Sequence, residues 1–451
     1  MRRAAARILP GLGLALLLAG AAAGARAPAA PVPDDGRAAF ARPAAIPFPA
    51  DAPWSAEAAR LGKRLFFDPR LSGDGDRSCA SCHDPATGFQ DGLPRGLAKD
   101  GGDLPRRTPF LADLAFEETF FWDGRARSLE EQALGPITAP AEMDARIEDV
   151  VARLAGDGEY RALFASAFPM RPVVDAANLG RALATFERTI LSGPGRFDRW
   201  VAGDEQAIGE DAKRGFALFT GKAGCTQCHA GWRMSDAAFY DVGLPLGPAP
   251  DRGRGAVLGQ PGLDHAFRTP GLRGVANRAP YMHDGSVASL AAIVDHYADG
   301  IVRRPGLAPE LAEPRPLDAA ERADLVAFLE TLDGEPAPVA APGAAPMAGN
   351  APAAEAPPGT RTIIQRDKAF SARRVTLDAG ADLVFVNDDL RPHNVRIDDP
   401  ARPFDGGVQR PGEEVALHFG DPGEYRVICG IHPGMKLDVA VRGHRDAALG
   451  H

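Results

Sequence analysis

Two pentapeptides restrict this chain more than anything else in it: Cys79-Ala-Ser-Cys-His83 and Cys225-Thr-Gln-Cys-His229. In a Cys-x-x-Cys-His segment the two thiols are spaced to form thioethers with the vinyl groups of a haem, and the adjacent histidine is placed to become the proximal iron ligand. A redox disulfide or a zinc site could use the same cysteines, and one match alone would carry little weight. Two matches in one helical chain point to two covalently bound haem c groups.

The 451 residues exceed what one core usually holds, so two or three domains are expected. The apolar fraction of 45% is that of a globular protein, and after the N-terminus no apolar run is long enough to span a membrane. Residues 1–27 have a basic start, an apolar middle and the ending Ala25-Arg26-Ala27, which reads as a secretory signal peptide. The mature protein is therefore expected in the periplasm, with no transmembrane segment. The removed segment holds four arginines and no acid, so the net charge moves from −9 to −13. That balance disfavours nucleic acid as a partner. An oxidising compartment also disfavours a cysteine with neither partner nor ligand.

Residues 28–50 are rich in Pro and Ala and read as an extended leader. From Trp54 to about Leu332 the patterns are helical. Leu179, Leu183, Phe186 and Ile190 form one stripe, with Asn178 as the expected cap. Asp318 and Glu321 have capping-box spacing. Residues 334–360 have no periodicity and are dominated by Pro, Ala and Gly, the composition of a semi-rigid linker. After it come six short β-like runs, 373–377, 382–387, 393–397, 414–419, 424–429 and 436–441, which suggest a small all-β sandwich.

The fifth cysteine, Cys429, stands apart in Cys-Gly-Ile-His-Pro-Gly-Met. Cys429, His432 and Met435 lie in a turn between two β-like runs, and His393 lies upstream in Pro-His-Asn-Val. Two histidines, a thiolate and a weak methionine make a blue, type 1 copper site for electron transfer. Zinc is the rival for one cysteine and two histidines, but methionine is a poor zinc ligand. The Cys-x-x-His-x-x-Met loop with its upstream Pro-His-Asn-Val resembles the cupredoxins, amicyanin in particular. That implies a cupredoxin domain over residues 361–443 followed by a tail, 444–451. His418 fits no metal spacing and is expected to point outward from a strand.

Four stretches of the helical region resemble the bacterial dihaem cytochrome c peroxidase family, which includes the MauG-type enzyme that matures the tryptophan-derived quinone of methylamine dehydrogenase. They are RLFFDPRLSGDGDRSCASCHDPATGF, FFWDGRARSLEEQALGPITAPAEM, KRGFALFTGKAGCTQCHAG and FRTPGLRGVANRAPYMHDGSVASLAAIVDHYADG. The resemblance implies a mainly α body of two cytochrome c-like domains, 51–200 around His83 and 201–333 around His229. Peroxide would react at the haem on His83, with Gln132 and Glu142 over its open face. A carboxylate there can move a proton from the near to the far peroxide oxygen so that water leaves. Trp122 matches the family's tryptophan between the haems. The sixth ligand of the haem on His229 falls on Tyr297, as in the MauG type; a methionine such as Met282 would mark the ordinary peroxidases. Helical spacing puts Leu290, Ile293, Val294 and Tyr297 on one face, with His296 towards its flank.

The sequence also departs from the family. It has no histidine between His83 and His229, where many members carry one that blocks the reactive haem until the other is reduced. An open N-terminal haem is therefore expected. The family's calcium ion is held by an asparagine and two carbonyls. The carbonyls map to Arg278 and Pro280, but the asparagine position is Arg107. Calcium thus stays open between the remaining carbonyls and a guanidinium that replaces the ion's charge. The tryptophan that precedes the second haem in the quinone-maturing enzyme is Ala223 here.

Three functions fit these parts. The leading one is an exported dihaem c-type peroxidase that reduces hydrogen peroxide to water. Electrons from a donor protein or small reductant would pass through the fused copper domain, whose tether gives an effective concentration on the order of mM. The second is a MauG-like enzyme in which a high-valent haem derived from peroxide oxidises a side chain of a partner protein. The third is an electron carrier or redox sensor without peroxide chemistry.

Overall fold

The computed structural model describes residues 34–338, 344–346, 356, 359–366, 368–389 and 391–443. The expected signal peptide, the start of the leader, most of the linker and the C-terminal tail lie outside the described residues.

The body has two halves, each built on one pair of crossing helices. In the first, Ala56–Phe66 crosses Ala176–Arg188; in the second, Glu210–Thr220 crosses Ala319–Leu329. Both crossings turn on a glycine. A Cβ on Gly62 would lie 1.9 Å from the Ala182 carbonyl oxygen, and one on Gly215 would lie 1.9 Å from that of Asp324. The backbones touch there, so any larger residue would force the helices apart. Around the first crossing Leu61, Leu65, Leu179, Leu183 and Phe186 are buried in one core. Around the second, Phe216, Phe219, Leu325 and Phe328 do the same.

The helix ends largely follow the local signals. Asp318 and Glu321 form the expected reciprocal box, with bonds of 2.8 and 2.9 Å. The helix carrying the Leu179–Phe186 stripe starts earlier than expected. Asp175, not Asn178, is its cap and accepts the Asn178 amide at 2.8 Å. The carboxylate is the better acceptor for N–H groups at a positive helix end. The Asn178 side chain instead donates to the carbonyls of Arg171 and Val173.

The leader is packed rather than loose: Phe40, Ile46 and Phe48 are buried. Ile46–Phe48 pairs in parallel with Ala344–Pro346, and Ile190–Leu191 pairs with Ala337–Pro338. Two points of the linker are therefore held on the body.

The C-terminal part is a β-sandwich. One sheet orders its strands Glu414–Phe419, Ala381–Asn387, Thr362–Arg366 and Ala369–Phe370. The other orders Phe404–Gln409, His393–Ile397, Gly423–Cys429, Lys436–Arg442 and Arg374–Asp378. Strand alternation sends Tyr425, Val427 and Cys429 inward, while Glu424 and Arg426 face out. His418 is on the outer face, paired with Asp382. Among the described residues no helix is long and apolar enough to cross a membrane.

The sandwich rests on the body through its copper-loop end. The buried guanidinium of Arg254 donates twice to the Gly430 carbonyl, at 3.1 and 2.9 Å, and once each to those of Asp123 and Gly124. The Phe239 amide donates to the Ile431 carbonyl at 3.2 Å. Lys436 pairs with Glu118, and Arg391 with the buried Glu310.

Candidate haem and copper sites

Both Cys-x-x-Cys-His segments adopt the same turn. The His83 amide bonds back to the Cys79 carbonyl at 2.9 Å, and the His229 amide to that of Cys225 at 2.8 Å. Each imidazole is then aimed by a second carbonyl. His83 Nδ1 donates to Phe89 O at 3.2 Å, and His229 Nδ1 to Met234 O at 2.8 Å. Phe89 and Met234 both hold left-handed backbone, with φ of 58° and 53°, a conformation few non-glycine residues adopt. Burial lowers the pKa of both histidines, so both rings are neutral. A proton fixed on Nδ1 leaves the Nε2 lone pair free for a metal. The four cysteines are free thiols rather than disulfides. The residues present fit two haem c groups.

A cavity of about 540 Å³ opens over the second of these turns. Cys225, Cys228, His229, Trp122, Tyr297 and Met282 all line it. Two of its arginines test the fit. The Nε atoms of Arg107 and Arg278 are buried without a partner. Burial, and then the neighbouring Arg107, pull the Arg278 guanidinium down to about 9. Two adjacent buried cations with unused donors are suited to an anion, and a haem brings two carboxylates. The Trp122 indole donates to the Arg107 carbonyl at 2.9 Å.

Tyr297 reaches this cavity by an unexpected route. The α-helix Leu290–Asp295 does not continue through it; His296–Gly300 forms one π-turn. The extra residue in that turn still leaves Tyr297 inside, packed in a cluster with Cys228 and Tyr240. Burial, then Cys228 and Cys225, raise its hydroxyl pKa. His296 turns to the flank, as expected, and its Nε2 donates to Val242 O at 2.9 Å.

At the first haem turn, Glu142 is half-buried just after the helix Leu129–Thr138. Burial raises its pKa against the pull of Arg125. After burial and Asp91, its charge also raises the Cys82 thiol. Gln132 is half-buried on the same helix. Sequence reasoning missed Glu187, which is buried beside Cys79. Burial pushes its carboxyl up to about 8, and its Oε2 has no partner. The only signal was an acid next to an apolar stripe.

The copper-type cluster is compact. His393, Cys429 and His432 are buried, and one ligand atom from each lies within 4.8 Å of the others. Cys429 Sγ is 3.7 Å from His393 Nδ1 and 3.6 Å from His432 Nδ1. The sulfur also accepts the amides of Asn394 at 3.4 Å and His432 at 3.3 Å. Met435 is buried in the same turn, where Cys429 N donates to its carbonyl at 3.1 Å. Burial keeps both histidines neutral. One thiol and two neutral Nδ1 atoms converging beside a buried methionine fit type 1 copper. Asp389, which sequence reasoning missed, orients His393 through Nε2 at 3.1 Å. Burial opposes its charge, but the Lys368 amide, His393 and Arg391 hold it down to about 2.

Residues 56–206 match the di-haem cytochrome c peroxidase family, residues 212–333 match cytochrome c, and residues 361–442 match the copper binding proteins of the plastocyanin/azurin family. The chain is similar to the methylamine utilization protein MauG of Methylorubrum extorquens, at 50% identity over 306 residues, covering 68% of this chain and 86% of that one. It is similar to the cytochrome c551 peroxidase of Nitrosomonas europaea, at 34% identity over 292 residues, covering 64% of this chain and 84% of that one. Among solved structures, a MauG-like protein associated with microbial copper homeostasis matches at a TM-score of 0.59 and 35% identity, over 66% of this chain and 94% of that one.

Proposed function

The chain belongs to the dihaem cytochrome c peroxidase family, and from that premise we propose that it is an exported enzyme that reduces hydrogen peroxide to water with electrons delivered through its own copper domain. The overall reaction is H2O2 + 2e⁻ + 2H⁺ → 2H2O. The observation that carries this reading is the docking of the copper domain on the second haem turn: Lys368 Nζ, from the sandwich, donates to the Gln227 carbonyl within Cys225-Thr-Gln-Cys228 at 2.6 Å.

Cys79, Cys82 and His83 would hold one haem, and Cys225, Cys228, His229 and Tyr297 the other; His393, Cys429, His432 and Met435 would hold copper. When bound, these groups supply one-electron chemistry and an open iron that activates peroxide. The protein's own residues supply the rest. Glu142, with its pKa raised by burial, takes the proton from one peroxide oxygen and returns it to the other, so that water is the leaving group. Gln132 offers an amide to hold the peroxide. The carbonyls of Phe89 and Met234 fix the two imidazoles, and Trp122, which lines the cavity over the second haem turn, would pass electrons between the two haems. The electrons come from an external protein or small reductant.

The test is Cys429→Ala in the haem-loaded protein. Steady-state peroxide turnover with an external reductant is expected to fall sharply, while the reaction with stoichiometric peroxide persists. Unchanged steady-state turnover would exclude the copper domain as donor. A second reading gains support from Tyr297 in the cavity over the second haem turn and from the 50% identity to MauG. In it, the two electrons that reduce peroxide are drawn from a side chain of a partner protein, which is thereby oxidised. That reading requires slow turnover with artificial donors and oxidation of a protein substrate.

A further inference from the structure

We propose that Tyr240 is the bridge that couples the copper site electronically to the second haem, so that the copper domain delivers its electron while docked. The proposal rests on the reading of the chain as a dihaem enzyme served by its own copper.

Tyr240 touches both sites. On one side its ring lies edge-on to the imidazole of His432, with centroids 6.2 Å apart. On the other it packs with Cys228 and Tyr297 in one apolar cluster. Its hydroxyl donates to Asp236 Oδ2 at 2.8 Å and stands within reach of the Cys228 sulfur as well. One aromatic side chain thus spans the gap between a copper ligand and a cysteine that would carry the haem.

The alignment is held from both domains. Lys368 reaches out of the sandwich to Gln227 O and Asp236 Oδ2, each at 2.6 Å, and its ammonium lies 5.3 Å from the Tyr240 ring centroid. One residue earlier on each side, the Phe239 amide donates to the Ile431 carbonyl. That bond fixes the register of Phe239-Tyr240 against Ile431-His432. Arg254 clamps the preceding Gly430 and stacks on Phe239 with its guanidinium carbon 4.3 Å from the ring centroid. The outer nitrogen of His432, Nε2, is buried without a hydrogen-bond partner. The edge of the copper site is thus closed by this chain's own body, and an external acceptor has no access to it in this arrangement.

A buried tyrosine with its hydroxyl satisfied also has structural value, so the step has to be stated in a form that separates the two roles. One electron leaves the cuprous site, which becomes cupric, and one arrives at the ferric haem iron, which becomes ferrous. Tyr240 is neither oxidised nor deprotonated. The hydrogen bond to Asp236 keeps the hydroxyl proton in place. The ring therefore matters and the hydroxyl does not.

The experiment uses the full chain loaded with both haems and copper. The copper is reduced by a radiolytic pulse, and the return of the blue band is followed together with the ferrous haem signal. The parent is expected to show first-order transfer that is independent of protein concentration. Tyr240→Phe should keep that rate within a small factor. Tyr240→Leu should lower it by an order of magnitude or more, with the blue band, the haem spectra and the potentials unchanged. If Tyr240→Leu loses either chromophore, Tyr240→Met replaces it with the same two outcomes. Transfer as fast as the parent with both chromophores intact overturns the proposal and leaves the Phe239–Ile431 backbone pair as the route. Transfer that depends on protein concentration overturns docked delivery. A protein that develops no blue band overturns the copper reading itself, a failure distinct from the other two.

Discussion

The guanidinium of Arg107 donates a 2.7 Å hydrogen bond to the carbonyl oxygen of Arg278. It also donates to Gln90 Oε1 at 2.6 Å. By the family resemblance Arg278 supplies a carbonyl to a calcium ion, and here an arginine side chain holds that carbonyl. The chain carries its own cation at this point. Chelators are therefore expected to leave the haem spectra and the melting temperature unchanged. Arg107→Asn, which restores a side-chain oxygen, should lower the melting temperature and make it respond to added calcium. A calcium response in the parent would refute the substitution.

Arg254 is the deepest cation in the contact between sandwich and body. Burial, then Arg396, pull it down to about 10, so it remains charged at neutral pH. Each hydrogen bond from a charged group is worth about 1.5–3 kcal/mol, and Arg254→Met leaves the carbonyls of Asp123, Gly124 and Gly430 unserved. The copper domain should then separate from the body, read as a larger radius of gyration in small-angle X-ray scattering. The blue band should survive, because Arg254 is not a candidate ligand. An unchanged radius would mean that Lys368 and Arg391 suffice.

Glu187 predicts a pH dependence of stability. Burial moves its carboxyl from 4.5 up to about 8, so the folded protein keeps a proton that the unfolded chain releases. Its contribution is complete below about pH 4.5 and falls as the pH rises, until the loss is complete above about 8. The slope inside that window is about 1.4 kcal/mol per pH unit. Glu187→Gln cannot ionise. Its advantage in urea midpoint over the parent should widen from mildly acidic to alkaline pH. A gap that stays constant would show that Glu187 is ionised in the fold.

Tyr297→Phe tests the sixth ligand of the second haem. An anionic phenolate favours ferric over ferrous iron. Removing it should raise the potential of the haem on His229 by an amount on the order of 0.1 V, within the ~0.8 V that axial ligands span. Spectroelectrochemical titration reads the change. A sulfur-to-iron charge-transfer band in the ferric parent would instead assign Met282 or another methionine.

The legible parts of this protein were those fixed by short-range chemistry. Thioether formation sets the spacing of Cys79, Cys82 and His83, and metal geometry sets that of Cys429, His432 and Met435, so both could be read from a few residues. All six β-like runs became strands. Thr362–Arg366 was missed beside the Pro-rich linker, and Phe404–Gln409 because Gly406 and Gly407 hide its pattern and its pairing is irregular. Asn178 lost the cap to Asp175, whose carboxylate is the better acceptor at a positive helix end, and both residue types read as caps in the sequence. Tyr240, Arg254 and Lys368 could not be found by spacing at all. Their importance comes from a contact between segments more than a hundred residues apart, and no local signal records it.

The covered copper loop also imposes an order of assembly. Cys429 is 0% exposed and His432 3% exposed. Tyr240 and Phe239 stand against that loop, while Lys368 lies across the turn that would receive the second haem. A site closed by its neighbour has to be filled before the neighbour arrives. Haem attachment and copper insertion therefore belong to the time when the two parts of the chain are still apart. Docking would then close over both sites, and a chain that closed while still empty would be expected to reopen before it matured.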